Sequence, residues 1–319
     1  MYFTADVLLF MIKWMQNIMF RQRYNRRNTM SSCDSCKSKD QCGSASSGSC
    51  PGEGEQSPES FREKLHAESS IGIVIGLCSG KGGVGKSLVT SVLAAKLARE
   101  GYRVGILDAD VTGPSIPKAF GLSGQLSGSS AGIMPVITHS GIQVVSVNLL
   151  LENEEQPVIW RGPVIAGVVK QFWTDVIWKE LDVLLIDMPP GTGDVPLTVF
   201  QAIPLDGVIL VSTPQDLVSM VVNKARNMAL MMKVRILGFV ENMSYITCTH
   251  CGEQLPIFGT GGVDKAAAEL NVPVFDKVAV DPFVTALVDA GEIEKIHTDM
   301  LDGTVRFVAG LIDKKRANL

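Results

Sequence analysis

The chain has 319 residues, of which 46% are hydrophobic and 19% are charged, so it is long enough to bury one large core or two smaller ones. Its formal net charge of -4 provides no overall attraction to nucleic acid, and we expect no direct nucleic-acid binding. Five of its seven cysteines fall in two tight groups, a pattern that favours metal ligation over a disulfide framework and indicates a cytoplasmic protein.

Residues 1–30 are predicted to be an extension outside the folded domain. No run within them reaches the roughly 18 apolar residues of a spanning helix. Their arginines follow the apolar part, whereas a secretory signal places its positive charge first. An amphipathic segment resting on a membrane is one alternative, since one helical face carries Val7, Met11, Trp14 and Ile18. We favour a disordered or non-native extension with Met30 as the start, and we expect no membrane partner.

Residues 31–70 are predicted to be a Cys/Ser/Gly-rich tail. Bulky apolar side chains are scarce in this segment, so it cannot form a packed core on its own. Metal binding by its cysteines is the alternative to a plain tail.

Residues 71–319 show the texture of a single α/β domain. Continuous apolar runs indicate strands buried on both faces, and helical patterns lie between them. This alternation predicts a doubly wound, mostly parallel sheet. The pattern GxxxxGK[ST] at residues 80–87 assigns this sheet to the P-loop NTPase type. The predicted strands are 71–79, 102–110, 141–148, 182–190, 206–214 and 235–243, and the clearest predicted helices are 87–100 and 217–233.

The stretch GLCSGKGGVGKSLVT contains a complete phosphate-binding pattern, GxxxxGK[ST], placed between a predicted strand and a predicted helix. Glycines allow backbone amides to wrap a phosphate, and the helix N-terminus adds its positive end. Lys86 would neutralise the β and γ oxygens of ATP, and Ser87 would coordinate Mg²⁺. The predicted nucleotide-binding residues are Gly80, Lys81, Gly82, Gly83, Val84, Gly85, Lys86 and Ser87.

Acidic residues follow two of the predicted strands. Asp187 comes after four apolar residues, which is the placement of a Walker B carboxylate that holds magnesium. Asp108 and Asp110 end the strand 102–110. A strand-end aspartate is often only a helix cap or turn former, but three of them downstream of a phosphate loop favour a site.

The segment KGGVGKS resembles the deviant Walker A motif of the MinD/ParA class. In that class the first lysine reaches across a dimer to the nucleotide of the partner, so the resemblance implies that Lys81 acts in trans. A cation supplied in this way would stabilise charge on the transferring phosphoryl group and tie hydrolysis to dimerisation.

Within this class, the chain resembles the Mrp/ApbC family of iron-sulfur cluster carriers over about residues 71–315. The resemblance rests on DADVTGPSIPKAFG, DMPPGTGDVPLT, VSTPQDLV and ENMSYITCTHCGEQLPIFGTGG. It implies that Asp110 orients the attacking water, that Asp187 holds Mg²⁺ through water and that Asn242 faces the adenine. It also implies that Cys248 and Cys251 ligate a cluster.

Two cysteines per chain are too few for a cluster or a tetrahedral zinc, which both take four ligands. Two copies of Cys248 and Cys251 across a homodimer axis would complete the set. The spacing alone leaves a zinc staple open, and the family resemblance favours a [4Fe-4S] cluster. His250 is predicted to face solvent, and Cys78 to be a small buried apolar residue.

The N-terminal cysteines form a second candidate metal group. The spacing of Cys33, Cys36 and Cys42 resembles the last three ligands of an N-terminal cluster in eukaryotic relatives. The place of the fourth cysteine holds Met19, and Cys50 is a possible substitute.

We therefore expect a homodimeric ATPase that binds an iron-sulfur cluster and passes it to apo-proteins, with slow, regulatory hydrolysis. One rival is a MinD/ParA-like positioning ATPase with a zinc-stapled dimer, which would leave the CxxC pair without a role in positioning. A second is a non-enzymatic zinc-stapled adaptor, which the intact Lys86, Ser87 and Asp187 argue against.

Overall fold

The computed structural model describes residues 62–110, 115–150, 162–191, 193–215, 226–227 and 230–318. Three predicted segments lie wholly or mostly outside these ranges: the extension 1–30, the tail 31–70 with its four cysteines, and the helix 217–233. In the part of the chain that is described, no helix is long and apolar enough to cross a membrane.

Nine of the described strands form one mixed sheet, in the order β10-β9-β8-β1-β7-β2-β6-β5, with β11 paired to β9. Two short strands, β3 and β4, pair separately. The strands are β1 (Ser70–Cys78), β2 (Val104–Asp108), β3 (Ser127–Gly128), β4 (Ile133–Met134), β5 (Val136–Ile137), β6 (Gln143–Ser146), β7 (Glu180–Asp187), β8 (Gly207–Ser212), β9 (Ile236–Thr247), β10 (Gln254–Leu255) and β11 (Val274–Ala279).

Helices connect the parallel strands. The α-helices are α1 (Lys86–Arg99), α2 (Ser115–Ala119), α3 (Gly162–Thr174), α4 (Asp194–Ala202), α5 (Gly262–Leu270), α6 (Pro282–Asp289) and α7 (Asp302–Arg316). Short 3₁₀ helices cover Val147–Leu150 and Ile293–Lys295.

The predicted α/β fold with a mostly parallel sheet is confirmed. Each of the six predicted strands corresponds to an observed one, and the central strands β1, β2, β7 and β8 are buried along almost their whole length. The sequence reading missed β11, because Asp276 and Lys277 interrupt its apolar run at the outer part of the sheet.

The parallel register places the phosphate loop and the aspartates that end β2 and β7 at one edge of the sheet. In the β1–β7 pair Leu77 lies beside Asp187, and in the β2–β7 pair Asp108 lies beside the same residue. The loop that follows β1 therefore emerges next to the acidic ends of β7 and β2. This edge, at the carboxyl ends of the strands, is where open α/β sheets bind their ligands.

Candidate functional site

The loop between β1 and α1 has the backbone that a phosphate requires. Gly83 and Gly85 adopt left-handed conformations with φ of 78° and 79°, which glycine reaches without steric cost. Helix α1 begins at Lys86, and no side chain caps its N-terminus. Its first backbone N–H groups are thus directed at the loop, together with the positive end of the helix dipole. The loop borders a cavity of about 470 Å³.

Lys86 lies between two of the predicted site residues, Asp110 and Asp187. Its ammonium is only 5% exposed and lies 2.8 Å from Oδ1 of Asp187 and 3.6 Å from Oδ2 of Asp110. Asp110 also lines the cavity. A buried ammonium between two carboxylates can exchange one of them for a phosphate oxygen, because both partners are anionic.

Asp187 is fully buried and accepts two hydroxyl hydrogen bonds from α1. Ser87 Oγ donates to Oδ2 at 2.6 Å, and Thr90 Oγ1 donates to Oδ1 at 2.8 Å. The paired hydroxyl and carboxylate oxygens are the hard donors that magnesium prefers. Thr90 was missed from the sequence, although its position three residues after Ser87 places it on the same helical face.

Asp108 differs from the other two acids. It is buried beside Asp187, and burial, together with the neighbouring negative charge, raises its pKa well above the usual range of a carboxyl. Hydrogen bonds from Ser146 Oγ at 2.8 Å and from the Asp110 N–H at 3.1 Å oppose this shift. Asp108 supports the strand ends, and Asp110 is the acid that reaches the cavity.

Lys81 has a different partner from Lys86. Its ammonium donates to Oε1 of Gln215, and it does not line the cavity. The structure therefore places Lys81 apart from the cluster of Lys86, Asp110 and Asp187. Its expected action on the nucleotide of a second chain stays a prediction.

Asn242 is 2% exposed, and its Nδ2 donates to the carbonyl oxygen of Val84 at 2.9 Å. A Cβ added at Gly85 would lie 2.2 Å from the same Nδ2, so the side-chain amide takes the space that a side chain at Gly85 would need. The structure thus sets Asn242 against the phosphate loop itself. Its expected contact with adenine stays a prediction.

Cys248 and Cys251 lie in the hairpin turn between β9 and β10. Gln254 and Leu255 pair antiparallel with Thr247 and Ile246. The turn is closed by two backbone hydrogen bonds, from the Cys248 N–H to the Glu253 carbonyl at 2.8 Å and from the Gly252 N–H to the Cys248 carbonyl at 2.9 Å. We call residues 248–253 the cysteine hairpin. Both thiols are free, and Cys251 is exposed.

The two thiols of the hairpin suit metal binding. Backbone N–H groups of Cys251 and His250 donate to the sulfur of Cys248 and lower its pKa, and the thiol of Cys251 acts in the same direction. A lower pKa favours the thiolate, which is the form that binds metal. His250 is exposed, as predicted.

Cys78 shows the opposite behaviour. It is buried, with Sγ 3.3 Å from the sulfur of Met188, and burial raises its pKa to about 12. The prediction of a buried apolar cysteine is confirmed. No group of three or more His, Cys, Asp or Glu side chains that could hold a metal occurs among the described residues. The hairpin accordingly offers two thiols and no third ligand from the described part of its own chain.

Apolar side chains surround the hairpin at the surface. Four of them are more than a third exposed: Ile246, Leu255, Ile257 and Phe258. Exposed apolar side chains that cluster are typical of interaction surfaces.

Comparisons with known proteins identify the family of the chain. A family model described as ParA, NUBPL iron-transfer P-loop NTPase, matches residues 70–309. The iron-sulfur cluster carrier protein of Clostridium perfringens is 45% identical over 276 residues, which cover 83% of this chain and 94% of the relative. The protein of the same name from Methanocaldococcus jannaschii is 45% identical over 251 residues, or 78% of this chain and 84% of the relative.

Solved structures show the same fold. A nucleotide-binding protein from Archaeoglobus fulgidus in complex with ADP is 45% identical, with a TM-score of 0.65 over 72% of this chain and 90% of that protein. The septum site-determining protein MinD of Pyrococcus horikoshii, complexed with Mg-ADP, is 18% identical with a TM-score of 0.52 over 76% of this chain and 96% of that protein. The second likeness supports the fold alone.

Proposed function

The chain belongs to the family of NUBPL iron-transfer P-loop NTPases, and we propose that it is a cytoplasmic, homodimeric, ATP-hydrolysing carrier that binds an iron-sulfur cluster and passes it to apo-proteins. The observation that carries the proposal is the coexistence of two separate ligand sets. One is a phosphate loop that borders a cavity beside the buried Lys86 and Asp187, and the other is a surface hairpin with two thiols and no third ligand among the described residues.

The phosphate-loop residues divide the work of hydrolysis. The backbone from Gly80 to Gly85 would wrap the phosphates, and Lys86 would exchange its contact with Asp187 for phosphate oxygens. Ser87 and Asp187 would hold Mg²⁺, whose charge screens the phosphate oxygens when it is bound. Asp110 lines the cavity beside Lys86 and would orient the attacking water.

Lys81 would complete the site in trans. Its ammonium contacts Gln215 rather than the cavity of its own chain, so it is available to approach the nucleotide of a partner. A cation aimed at the transferring phosphoryl group acts as an arginine finger does. Hydrolysis would then be slow in one chain alone and would depend on the dimer.

The cluster would lie between two cysteine hairpins. Each chain would contribute Cys248 and Cys251, so that two chains supply the four thiolates of a [4Fe-4S] cluster. The exposed apolar residues beside the thiols would exclude water when the two hairpins meet. The tail cysteines Cys33, Cys36, Cys42 and Cys50 would form a second metal group, separate from this one.

Anaerobic reconstitution with iron and sulfide tests the proposal. The full chain should take up about four iron and four sulfide per dimer, by the four-thiolate ligation rule, at the hairpin. It should also restore activity to an apo-enzyme that needs such a cluster. The variant with Cys33, Cys36, Cys42 and Cys50 changed to Ser separates hairpin iron from tail iron. Zinc alone, with no sulfide taken up and no client activated, would defeat the carrier proposal.

A further inference from the structure

Strand β9 contains a bulge where it passes the phosphate loop. On β11, Lys277 and Ala279 are two positions apart, but their partners Glu241 and Tyr245 on β9 are four positions apart. Met243 inside this segment is left-handed with φ of 55°. Ser244 Oγ closes the bulge by donating to the Glu241 carbonyl at 2.8 Å and lies 2.9 Å from its Oε1. Bulges of this kind re-aim side chains near functional sites.

The bulge rests directly on the phosphate loop. Asn242 Nδ2 donates to the Val84 carbonyl at 2.9 Å. The position where Gly85 would carry a Cβ lies 2.2 Å from that Nδ2 and 3.8 Å from Cε of Met243. Two consecutive bulge residues therefore lie against one loop glycine, and the Asn242 amide can take its position only because Gly85 has no side chain.

The other end of the bulge leads straight into the cysteine hairpin. The Tyr245 carbonyl accepts the Val280 N–H at 2.9 Å, and Ile246 and Thr247 form the ladder with β10. Cys248 follows Thr247. Before the bulge, Phe239 and Val240 are fully buried between β8 and β11. The strand is thus held at its buried half, while its outer half joins the phosphate loop to the thiols.

We propose that Asn242 is a positioning residue that couples the phosphate loop to the cysteine hairpin. If nucleotide binding changes the Val84–Gly85 backbone, the Asn242 side-chain amide that is bonded to the Val84 carbonyl would move with it. The bulge would then transmit this movement along β9 to Cys248. The left-handed Met243 is a strained point in this path, because a non-glycine residue holds this conformation at a cost that its surroundings must offset. The inference deepens the proposed function by assigning the contact through which nucleotide regulates the thiols.

The reactivity of Cys248 reports this coupling without any cluster. The reduced full chain is alkylated under anaerobic conditions with iodoacetamide, with and without a saturating non-hydrolysable ATP analogue. Mass spectrometry of the peptide that contains Cys248 gives the two rates. In the unchanged protein we expect the rates to differ about fivefold or more, the lower end of typical coupling between sites. In Asn242→Ala and in the isosteric Asn242→Asp, which loses the donor, we expect a ratio near one.

A matched variant separates coupling from general loosening of the strand. Phe239→Leu weakens the packing of β9 but leaves the amide contact in place, so it should keep the nucleotide effect. A purely structural role for Asn242 would raise both alkylation rates equally and leave their ratio unchanged.

Three results would overturn the inference. One is equal alkylation of Cys248 with and without nucleotide in the unchanged protein. Another is an unchanged ratio in both Asn242 variants. The third is complete loss of nucleotide binding in both variants, which would support the expected adenine contact of Asn242 in place of a positioning role. Alkylation needs no iron. If the native protein carried only zinc, the carrier proposal would be refuted, but the alkylation rates would still test the coupling role of Asn242.

Discussion

The phosphate loop and the cysteine hairpin lie near opposite ends of one stretch of β9, yet they are built in opposite ways. At the loop site Lys86 and Asp187 are buried, and side chains from α1 and from the ends of β2 and β7 converge there. The hairpin is largely exposed, and backbone N–H groups close its turn and donate to the sulfur of Cys248. The first region holds, within one chain, the groups proposed to bind the nucleotide, and the second offers half of a ligand set.

This difference sets what each region needs in order to work. A site whose binding groups all come from one chain can bind its nucleotide as a monomer, so its affinity should not depend on protein concentration, even though hydrolysis would need Lys81 of a partner. A half-site with two thiols needs a second copy, so cluster binding should be second order in protein. Substitutions in the two regions should therefore have separable consequences, and the following changes test that separation.

The largest effect is expected at the hairpin. Cys248→Ser or Cys251→Ser removes two of the four proposed thiolates in a homodimer, and stable cluster binding should be lost completely. ATP binding should be preserved, since the phosphate loop shares no ligand with the hairpin. Iron, sulfide and ATP affinity are measured after anaerobic reconstitution. Cys78→Ala is the control, because its buried thiol should contribute no iron; retention of the full cluster in either hairpin variant would contradict the assignment.

At the phosphate loop, Lys86→Ala should reduce the rate of ATP hydrolysis about 10²- to 10³-fold, the size of effect seen when one preorganised charge is removed. Phosphate release measures it, and the iron content should remain near that of the unchanged protein. Lys96→Ala on the same helix is the matched control, since that ammonium contacts the carbonyls of Thr298 and Met300. Near-normal turnover in Lys86→Ala would refute the site.

Lys81→Ala should have a smaller and more selective effect. Nucleotide should still bind, whereas turnover should fall by roughly 10²-fold, because the charge acts on the transition state more than on the ground state. Mixing Lys81→Ala with an excess of a hydrolysis-deficient Lys86→Ala protein should restore part of the activity if the lysine acts in trans. Equal losses in affinity and turnover would instead make Lys81 an ordinary phosphate contact of its own chain.

The smallest effect concerns stability and pH. The pKa of Asp108 is raised in the folded protein, so the folded state binds this proton more tightly, and the resulting stability is lost as pH rises through the folded pKa. Asp108→Asn should be more stable than the unchanged protein at neutral pH, by roughly 1 kcal/mol, the usual size of a single-residue effect. Below the pKa of the unfolded carboxyl the difference should vanish. Urea midpoints across pH measure both.

Asp182 provides a control of opposite sign. Burial would raise its pKa, but hydrogen bonds from Arg103 and Arg316 outweigh this and lower it. The stability that Asp182 contributes is therefore present at neutral pH and lost as pH falls through the folded pKa. Asp182→Asn should destabilise the protein at neutral pH, so a common direction of change in both variants would refute the electrostatic account.

Some features of the fold and the site could be predicted from the sequence, and others could not. The central strands were predicted because continuous apolar runs are the direct mark of burial on both faces. The loop was predicted because its spacing is dictated by a phosphate. Thr90 and the Asn242 contact were missed, because both depend on which strand lies beside which. No local pattern marks the bulge on β9, since it is defined only by its register against β11.

The two cysteine environments have a practical consequence for measuring distances. With the four tail cysteines changed to Ser, three thiols remain. Cys78 is buried with a raised pKa and should not react with a thiol label, so only the pair in the hairpin would be labelled. In a Cys248→Ser background, a nitroxide attached to Cys251 would give one spin per chain. Pulsed electron paramagnetic resonance would then measure the distance between the two hairpins of a dimer under each nucleotide condition. No iron is needed in the sample.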